Sequence, residues 1–482
     1  MDFDGSLEYQ YLLNIVNPTS GYFRILIKAD VEGEYYSDAF EATSVVAQPS
    51  GIDLVRMYSL IPLACGKFKF WEAKIKEIQA MGFDCIHLLP LTEMGSSQSP
   101  YSSTNLMNVD PLYVDKQIEF EYLLKEIINI DMRLCFDLVL NHVSPESLIV
   151  KNNPDWIKPD INESDGFKRA GCWHENSWIR WEDLVLINYE HPEPKTRNNI
   201  WMKMKDYAFL WAGYASKTKG MIRLDNLHSS NEAFMNYLRI ELKKEFPNLI
   251  IFAEFFADEA TLIKKTLAWD LNLLLGQPWH FDFVPQLRNY FKKIHQEGFQ
   301  LHHVMPINTH DTPSIQEMYS DVNYTIPRYA ISSFFSCGLT GITMGVEQGE
   351  EHKMKFIGEP YNYDILKAHP FKEKIKKINE ILSNEQTLRL AGNIEFIDFE
   401  HETLMVAIRR DLSTKGEDLL ILVSMDKNHA QTFTINFSKV DLNYNNTRYT
   451  EIYNDSHSGY EVGNDDSIQI DQCDYRIFKK IT

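Results

Sequence analysis

Seven apolar runs, separated by stretches with helical periodicity, constrain the fold of this chain more than any other feature. They are "LVRMYSLIP" (54–62), "FDCIHLLPL" (83–91), "RLCFDLVLNH" (133–142), "GMIRLDNLH" (220–228), "LIIFAEFF" (249–256), "HHVMPINTHD" (302–311) and "GLTGITMGV" (338–346), with "AWDLNLLL" (268–275) as a weaker eighth. Between them lie segments such as "KFWEAKIKEIQAMG", "FEYLLKEIINI" and "NEAFMNYLRIELKKEF", whose apolar residues recur at helical spacing. Short apolar strands that alternate with helices belong to parallel sheets covered on both faces. Eight such units over roughly 300 residues predict a (β/α)₈ barrel. An open doubly wound sheet is the rival, but no GxGxxG follows the first strand.

The texture differs outside that region. Residues 1–52 contain "YQYLLNIV", "YFRILIKAD" and "FEATSVVAQ", which read as strands of an N-terminal β region. Residues 387–482 carry strand-like runs such as "NIEFIDFEHETLMVAIRRD" and "EDLLILVSM" between polar turns, which predicts a C-terminal antiparallel β domain. The catalytic barrel is then expected over 53–386, with 143–219, rich in Trp, Asn, Asp and Pro, as an insertion after the third strand. A long connection at that place belongs to the face of a barrel that carries its chemistry.

Composition narrows the function. A net charge of −20 argues against a surface that tracks nucleic-acid phosphates. Neutral substrates fit it. The six cysteines are scattered without a CxxC pair, as expected for free thiols in a reducing cytoplasm. The acidic start "MDFDGSLEYQ" is unlike a secretory signal, and no apolar run approaches membrane-spanning length. These features lead to the expectation of a cytoplasmic enzyme without membrane or nucleic-acid partners.

The strand ends carry the chemistry. Asp137, Asn141 and His142 close the third run, and Arg223, Asp225 and His228 the fourth. Glu254 closes the fifth, and Asn308, His310 and Asp311 stand at the end of "HHVMPINTHD". One Asp after a strand is a cap or a local ion pair, but carboxylates converging from several strands on one barrel face require a chemical use. Glycosyl transfer with retention uses an ionised carboxylate as nucleophile and a protonated one as acid. Arg223 shares a strand face with Asp225 and is expected to hold it ionised. Glu254, framed by "IIFAEFF", has the apolar surroundings that raise a carboxyl pKa for acid work.

Taken in order, these motifs resemble the α-amylase superfamily, glycoside hydrolase family 13. "DLVLNH" (137–142) resembles its Asp-x-x-x-Asn-His strand and "IRLDNLH" its Arg-x-Asp nucleophile strand. "FAEFF" resembles its general-acid strand and "NTHD" (308–311) its Asn-His-Asp strand, with Thr309 in the usual Asn place. "PLTEMGSSQSPYSSTNLMNVDPLY" (90–113) resembles the loop whose tyrosine, here Tyr101, forms a platform under the reacting sugar. The resemblance implies that Asp225 is the nucleophile, Glu254 the acid/base and Asp311 the transition-state stabiliser. It also implies that Arg223 orients Asp225, that His142 and His310 bind hydroxyls of one sugar, and that Tyr101 stacks on that sugar.

Familiar amylases carry Lys-His three and four residues after the nucleophile, whereas here His228 alone stands at the third. "RLDNLHSS" is closer to the glucanotransferase half of glycogen debranching enzymes and to maltosyltransferases that use maltose 1-phosphate, and His228 joins the substrate-binding set on that ground. The resemblance implies an α-glucan or maltooligosaccharide substrate and 4-α-glucanotransfer. The alternatives are an amylase-like hydrolase, a maltosyltransferase with Lys168, Arg169 and Lys195 as candidate phosphate cations, and an inactive carbohydrate-binding member. No cofactor is required and no metal ligand is assigned. A structural calcium ion would need six or more oxygens, for which the sequence offers only Asn141 as a candidate. Trp156, Trp173, Trp178 and Trp181 of the insertion serve either as sugar platforms or as its small core.

Overall fold

All eight expected runs, including the weak one, contain strands of a closed parallel barrel in the computed structural model. They are β1 Val55–Leu60, β2 Cys85–Leu88, β3 Arg133–Leu138, β4 Met221–Leu224, β5 Ile250–Ala253, β6 Leu273–Leu275, β7 His303–Pro306 and β8 Leu339–Thr343. Each pairs in parallel with its neighbour in sequence, and β8 closes the ring on β1 through Gly341↔Met57 and its flanking pairs. The outer helices are α1 Trp71–Ala80, α2 Ile118–Asn129, α3 Pro194–Lys217, α4 Glu232–Glu245, α5 Glu259–Trp269, α6 Val284–Glu297, α7 Thr325–Phe334 and α8 Lys372–Asn384. The structure describes residues 21–31, 34–45, 48–49, 51–174, 177–297, 301–368, 370–397, 401–411, 417–437, 447–453 and 459–481.

The two-residue period of a strand explains both faces of the barrel wall. Val55, Met57, Cys85, Cys135, Met221, Phe252 and Val304 fill the interior, while Tyr58, Ile86, Phe136 and Leu224 pack outward under the helices. Two residues beyond Cys85, Cys135 and Met221 stand His87, Asp137 and Arg223, all buried. The inner layer therefore changes from apolar to charged towards the C-terminal ends of the strands. Cys85 and Cys135 act as small hydrophobes there, and burial pushes the Cys85 thiol up to about 12.

The third run is shorter as a strand than its apolar pattern suggests. β3 stops at Leu138, and His142 begins a separate strand, His142–Val143, paired to the hairpin Arg169–His174/Ser177–Leu186. The apolar residues between them, Val139 and Leu140, are buried outside the ladder, so hydropathy alone overran the strand end. Within 143–219, α3 packs its Ile200, Met204, Tyr207, Ala208 and Trp211 stripe inward as the barrel's third outer helix.

After α8 the chain forms a six-stranded antiparallel sheet with Leu404–Arg409 and Leu419–Ser424 among its inner strands, backed by the pair Gln431–Thr434/Ser467–Ile470. Leu404, Val406, Ile408, Leu420 and Leu422 face a small core with Ile435, Phe437 and Ile468, and the opposite face, with Met405 and Ile421, joins the barrel's outer core. Arg409 is fully buried at this seam, where it donates to the carbonyls of Phe334, Ser336 and Leu390 and to Asn393 Oδ1 at 2.6–2.9 Å. N-terminally, Gly21–Val31 pairs antiparallel with Glu34–Val45. The strand expected in "YQYLLNIV" lies outside the described residues. No described helix is long and apolar enough to cross a membrane.

Candidate active site

Asp225 and Glu254 are the first residues after β4 and β5, and Arg223 lies inside β4. Arg223 is only 3% exposed and is the hub of the site. Its Nη1 contacts Asp137 Oδ2 at 2.5 Å and Asp225 Oδ1 at 3.3 Å, and its Nη2 contacts Glu254 Oε2 at 2.9 Å. A buried guanidinium bound by three carboxylates is among the few ways a core tolerates this much charge. Asn226, in the left-handed region at φ 45°, turns the chain behind Asp225 so that its N–H donates to Glu254 Oε2 at 2.9 Å. Asn is one of the few side chains that accept such a conformation cheaply.

A second wall faces this cluster. Tyr101, from the β2–α2 connection, donates its hydroxyl to Asp137 Oδ2 at 2.9 Å and stands 2.7 Å from His310 Nε2. Its ring lies parallel to that of His310. His310 Nε2 in turn meets Asp311 Oδ2 at 3.0 Å. A continuous polar chain thus runs Asp311–His310–Tyr101–Asp137–Arg223 to Asp225 and Glu254. His87 extends it to β2, with Nε2 at 3.5 Å from Asp137 Oδ2 and Nδ1 at 3.0 Å from Ser59 Oγ. A small cavity of about 30 Å³ among these groups is bounded by His87, Arg223, Glu254, His310 and Asp311 and reaches the interior residues Met57, Phe252 and Val304.

The charge pattern differs from the expectation for Arg223 and Glu254. Arg223 makes its shorter contacts with Asp137 and Glu254, not with Asp225. Burial, then the neighbouring Glu254 and Asp137, push the Asp225 carboxyl well above the usual range, and Arg223 only partly opposes them. Glu254 is not held in an apolar frame; Phe252 and Phe255 are buried on either side, but its carboxylate turns to Arg223 and the Asn226 N–H. Burial would raise Asp137 too, but Arg223 and His87 hold it far below the ordinary range. The same opposition at Asp311, where His310, Arg223 and Lys353 outweigh burial, leaves it at about 2.

The other expected residues divide. His142 is buried at the mouth, its ring edge-on to Trp181 at 6.1 Å and both ring nitrogens without a hydrogen-bond partner. Burial pushes its imidazole down to about 4. His228 is exposed on the turn Leu227–Ser229, with its ring 6.2 Å from that of Phe256 and no hydrogen bond to the network. Asn141 donates to Asn226 O at 3.5 Å. Among the described residues no group of three or more His, Cys, Asp or Glu could hold a metal ion. Trp156 packs on the core, Trp178 is 48% exposed and the Trp173 side chain lies outside the described residues.

Sequence reasoning missed Phe256, Lys353 and Phe356, and assigned no role to Asp137 or His87. His87 had a legible signal, an imidazole at an inward position of the apolar run "CIHL". Phe356 had none, because it lies in a long coil whose path no periodicity fixes.

The chain is also similar to known proteins. Residues 50–157 match the family model of the glycogen debranching enzyme glucanotransferase domain. The chain is 22% identical over 84% of its length to an α-1,4-glucan:maltose-1-phosphate maltosyltransferase of Picrophilus torridus, and 23% identical over 77% to one of Methylacidiphilum infernorum. It spans 65% and 58% of those relatives' own length. Among solved structures it superposes on an α-amylase from Lactobacillus plantarum with TM-score 0.69 and 16% identity, covering 89% of this chain and 99% of that one. A trehalulose synthase from Pseudomonas mesoacidophila gives TM-score 0.70 at 13% identity, covering 90% and 100%. These likenesses show the α-amylase-type barrel fold, and the ordered strand-end motifs resemble those of the α-amylase superfamily.

Proposed function

We propose that the chain is a retaining α-glucan-active enzyme, a 4-α-glucanotransferase working through a covalent glycosyl-aspartate intermediate on Asp225. The observation that carries this reading is that Asp225 and Glu254 share Arg223 directly across from the Tyr101–His310–Asp311 wall. Asp225 attacks the anomeric carbon while the bond to the leaving O4 breaks and Glu254 protonates that oxygen. Glu254, now ionised, takes the proton of an acceptor hydroxyl, which attacks the same carbon and releases Asp225. Arg223, which contacts both carboxylates, turns towards Asp225 as substrate binds and holds it ionised for attack. Asp311 and His310 hold ring hydroxyls, Tyr101 stacks on the ring, and His142 offers its free ring nitrogens to the same sugar. His228 with Phe256 forms the start of the acceptor side. No cofactor enters this chemistry.

The maltosyltransferase names of the relatives support a second reading, with maltose 1-phosphate as donor. Its candidate phosphate ligands are poorly placed for that use. Arg169 is committed to Asp165 at 2.8 Å, and Lys168 and Lys195 are exposed, with no contact to the carboxylates. Reducing ends measured against chain-length redistribution on maltoheptaose, with and without maltose 1-phosphate, separate the readings. Redistribution at nearly constant reducing ends is the expected result. One new reducing end per bond broken indicates hydrolysis, activity only with the phosphate indicates maltosyl transfer, and no reaction at all indicates the inactive binding member. The same proposal includes a cytoplasmic location, which six free cysteines support, and the division 1–52, 53–386 and 387–482, with the insertion expected over 143–219 limited to the part before α3.

A further inference from the structure

β2 reads Cys85-Ile86-His87-Leu88, and the two-residue period of the strand turns His87 inward above Cys85. An imidazole only 3% exposed inside a barrel needs partners for both ring nitrogens. Nδ1 has one, lying 3.0 Å from Oγ of Ser59, the residue of β1 paired directly opposite. Nε2 points across to β3 and stands 3.5 Å from Asp137 Oδ2, too far for a hydrogen bond.

The neighbours assign the ring proton. Arg223 and His87 hold Asp137 far below the ordinary carboxylate range, so its oxygens only accept. The proton that faces it is therefore on Nε2, and Nδ1 accepts from the Ser59 hydroxyl. Burial lowers the His87 imidazole, in keeping with a neutral ring.

Asp137 depends on few donors. Its Oδ2 contacts Arg223 Nη1 at 2.5 Å and accepts from Tyr101 OH at 2.9 Å, while its Oδ1 is buried without a partner. When Arg223 turns to Asp225, this carboxylate, itself 3% exposed, loses its shortest contact. A buried carboxylate left on one tyrosine hydroxyl would oppose the turn. His87 Nε2–H is in place to prevent that: a shift of about 0.6 Å brings it to hydrogen-bond length, and the cavity of about 30 Å³ beside it gives the room. We propose that His87 is a positioning residue, which takes up Asp137 as Arg223 leaves it for Asp225, while Ser59 fixes the ring in its donating orientation. It acts through Arg223 and not on the sugar. This inference rests on the glucanotransferase reading.

The test uses the full chain and maltoheptaose. His87→Asn keeps an acceptor for Ser59 but ends short of Asp137, whereas His87→Gln carries an amide N–H to the place of Nε2. His87→Asn should lower kcat about tenfold to a hundredfold with KM nearly unchanged, the range of a hydrogen bond to a charged group. His87→Gln should recover most of that loss. In an Asp137→Asn background, where no buried charge has to be taken up, His87→Asn should cost no more than about threefold. Equal losses in His87→Asn and His87→Gln, or the same loss with Asp137 and with Asn at that position, mark a merely structural residue and overturn the proposal while the transferase reading stands. Nitrogen-15 spectra of the histidine rings in the unsubstituted protein test it without any folding risk: a protonated Nε2 and a bare Nδ1 are expected, and the opposite tautomer or a doubly protonated ring overturns it. An unsubstituted protein inert on maltoheptaose overturns the transferase reading itself, and the proposal with it.

Discussion

Replacing Asp137 by Asn removes one negative charge from the cluster around Arg223 while nearly preserving shape. Asp137 Oδ2 and Asp225 Oδ1 both touch the same Arg223 Nη1, at 2.5 and 3.3 Å. The two oxygens therefore lie within about 6 Å of each other, where an effective dielectric constant of about 20 gives a repulsion of about 3 kcal/mol, or about 2 pKa units. Arg223, released from its shortest partner, also turns towards Asp225 and adds to the effect. The proton that burial and its neighbours keep on Asp225 should thus leave at lower pH in Asp137→Asn.

The readout is the alkaline limb of kcat/KM on maltoheptaose, which reports loss of that proton. It should move down by about 1–2 units. An α-maltosyl fluoride, whose leaving group needs little protonation, serves as the control and should show a much weaker alkaline limb in both proteins. A variant that melts like the parent but keeps its alkaline limb in place, or moves it up, refutes the charge argument. The sign for stability follows from the same groups. Asp225, raised on folding, contributes stability that is full below the ordinary carboxylate pKa and is lost as pH rises through its folded value. Asp137 and Asp311, both lowered, contribute stability above the ordinary pKa that is lost as pH falls towards about 2 for Asp311.

Glu254→Gln should slow glucan transfer far more than reaction of the maltosyl fluoride, and equal losses on both would remove Glu254 from the acid role. Asp225→Asn should abolish trapping of a glycosyl-enzyme by mass spectrometry while leaving the far-ultraviolet circular dichroism unchanged; a trapped adduct in this variant would place the nucleophile elsewhere. Glu347→Gln leaves the buried Lys74 with only Glu77 at 3.5 Å, and should cost about 3 kcal/mol in urea unfolding, with most of the loss recovered in Lys74→Met/Glu347→Gln. A cost below about 1 kcal/mol would mean that the pair is not desolvated as its burial indicates.

The barrel was legible because it rests on a short-range pattern. Each strand buries both faces, so its apolar run stands out, and even "AWDLNLLL" proved to contain β6. Strand ends were less legible where buried non-strand residues such as Val139 and Leu140 prolong the run. The site residues were readable as types and order. Their pairing was not, because which carboxylate takes the short contact with Arg223 depends on the register of β3 against β4, where Arg223 faces Asp137 directly. The Arg-x-Asp spacing shows only that Arg223 and Asp225 share a side. The path of the connection after β8 was invisible for a different reason: its anchors, Gln98 with Glu359 and Lys353 with Asp311, join segments 261 and 42 residues apart.

The charge of the mouth bears on which donor it can accept. Three carboxylates, Asp137, Asp225 and Glu254, contact one arginine, and Asp311 joins them through His310 and Tyr101, so carboxylates outnumber the guanidinium here. A phosphate leaving from the anomeric carbon would depart on the Glu254 side with close to two negative charges. Among the described residues the arginine at that side is Arg223, already bound to three carboxylates, and Lys353 stands on the opposite side at Asp311. Taking Arg223 for the phosphate would strip Asp225 of its counter-charge in the same step that requires it as an ionised nucleophile. A neutral glucan makes no such demand, since its leaving oxygen is neutralised by the proton from Glu254 and its rings need only stacking and hydroxyl partners. Electrostatics therefore favours the glucan donor within a barrel whose sequence relatives are named for the phosphate one.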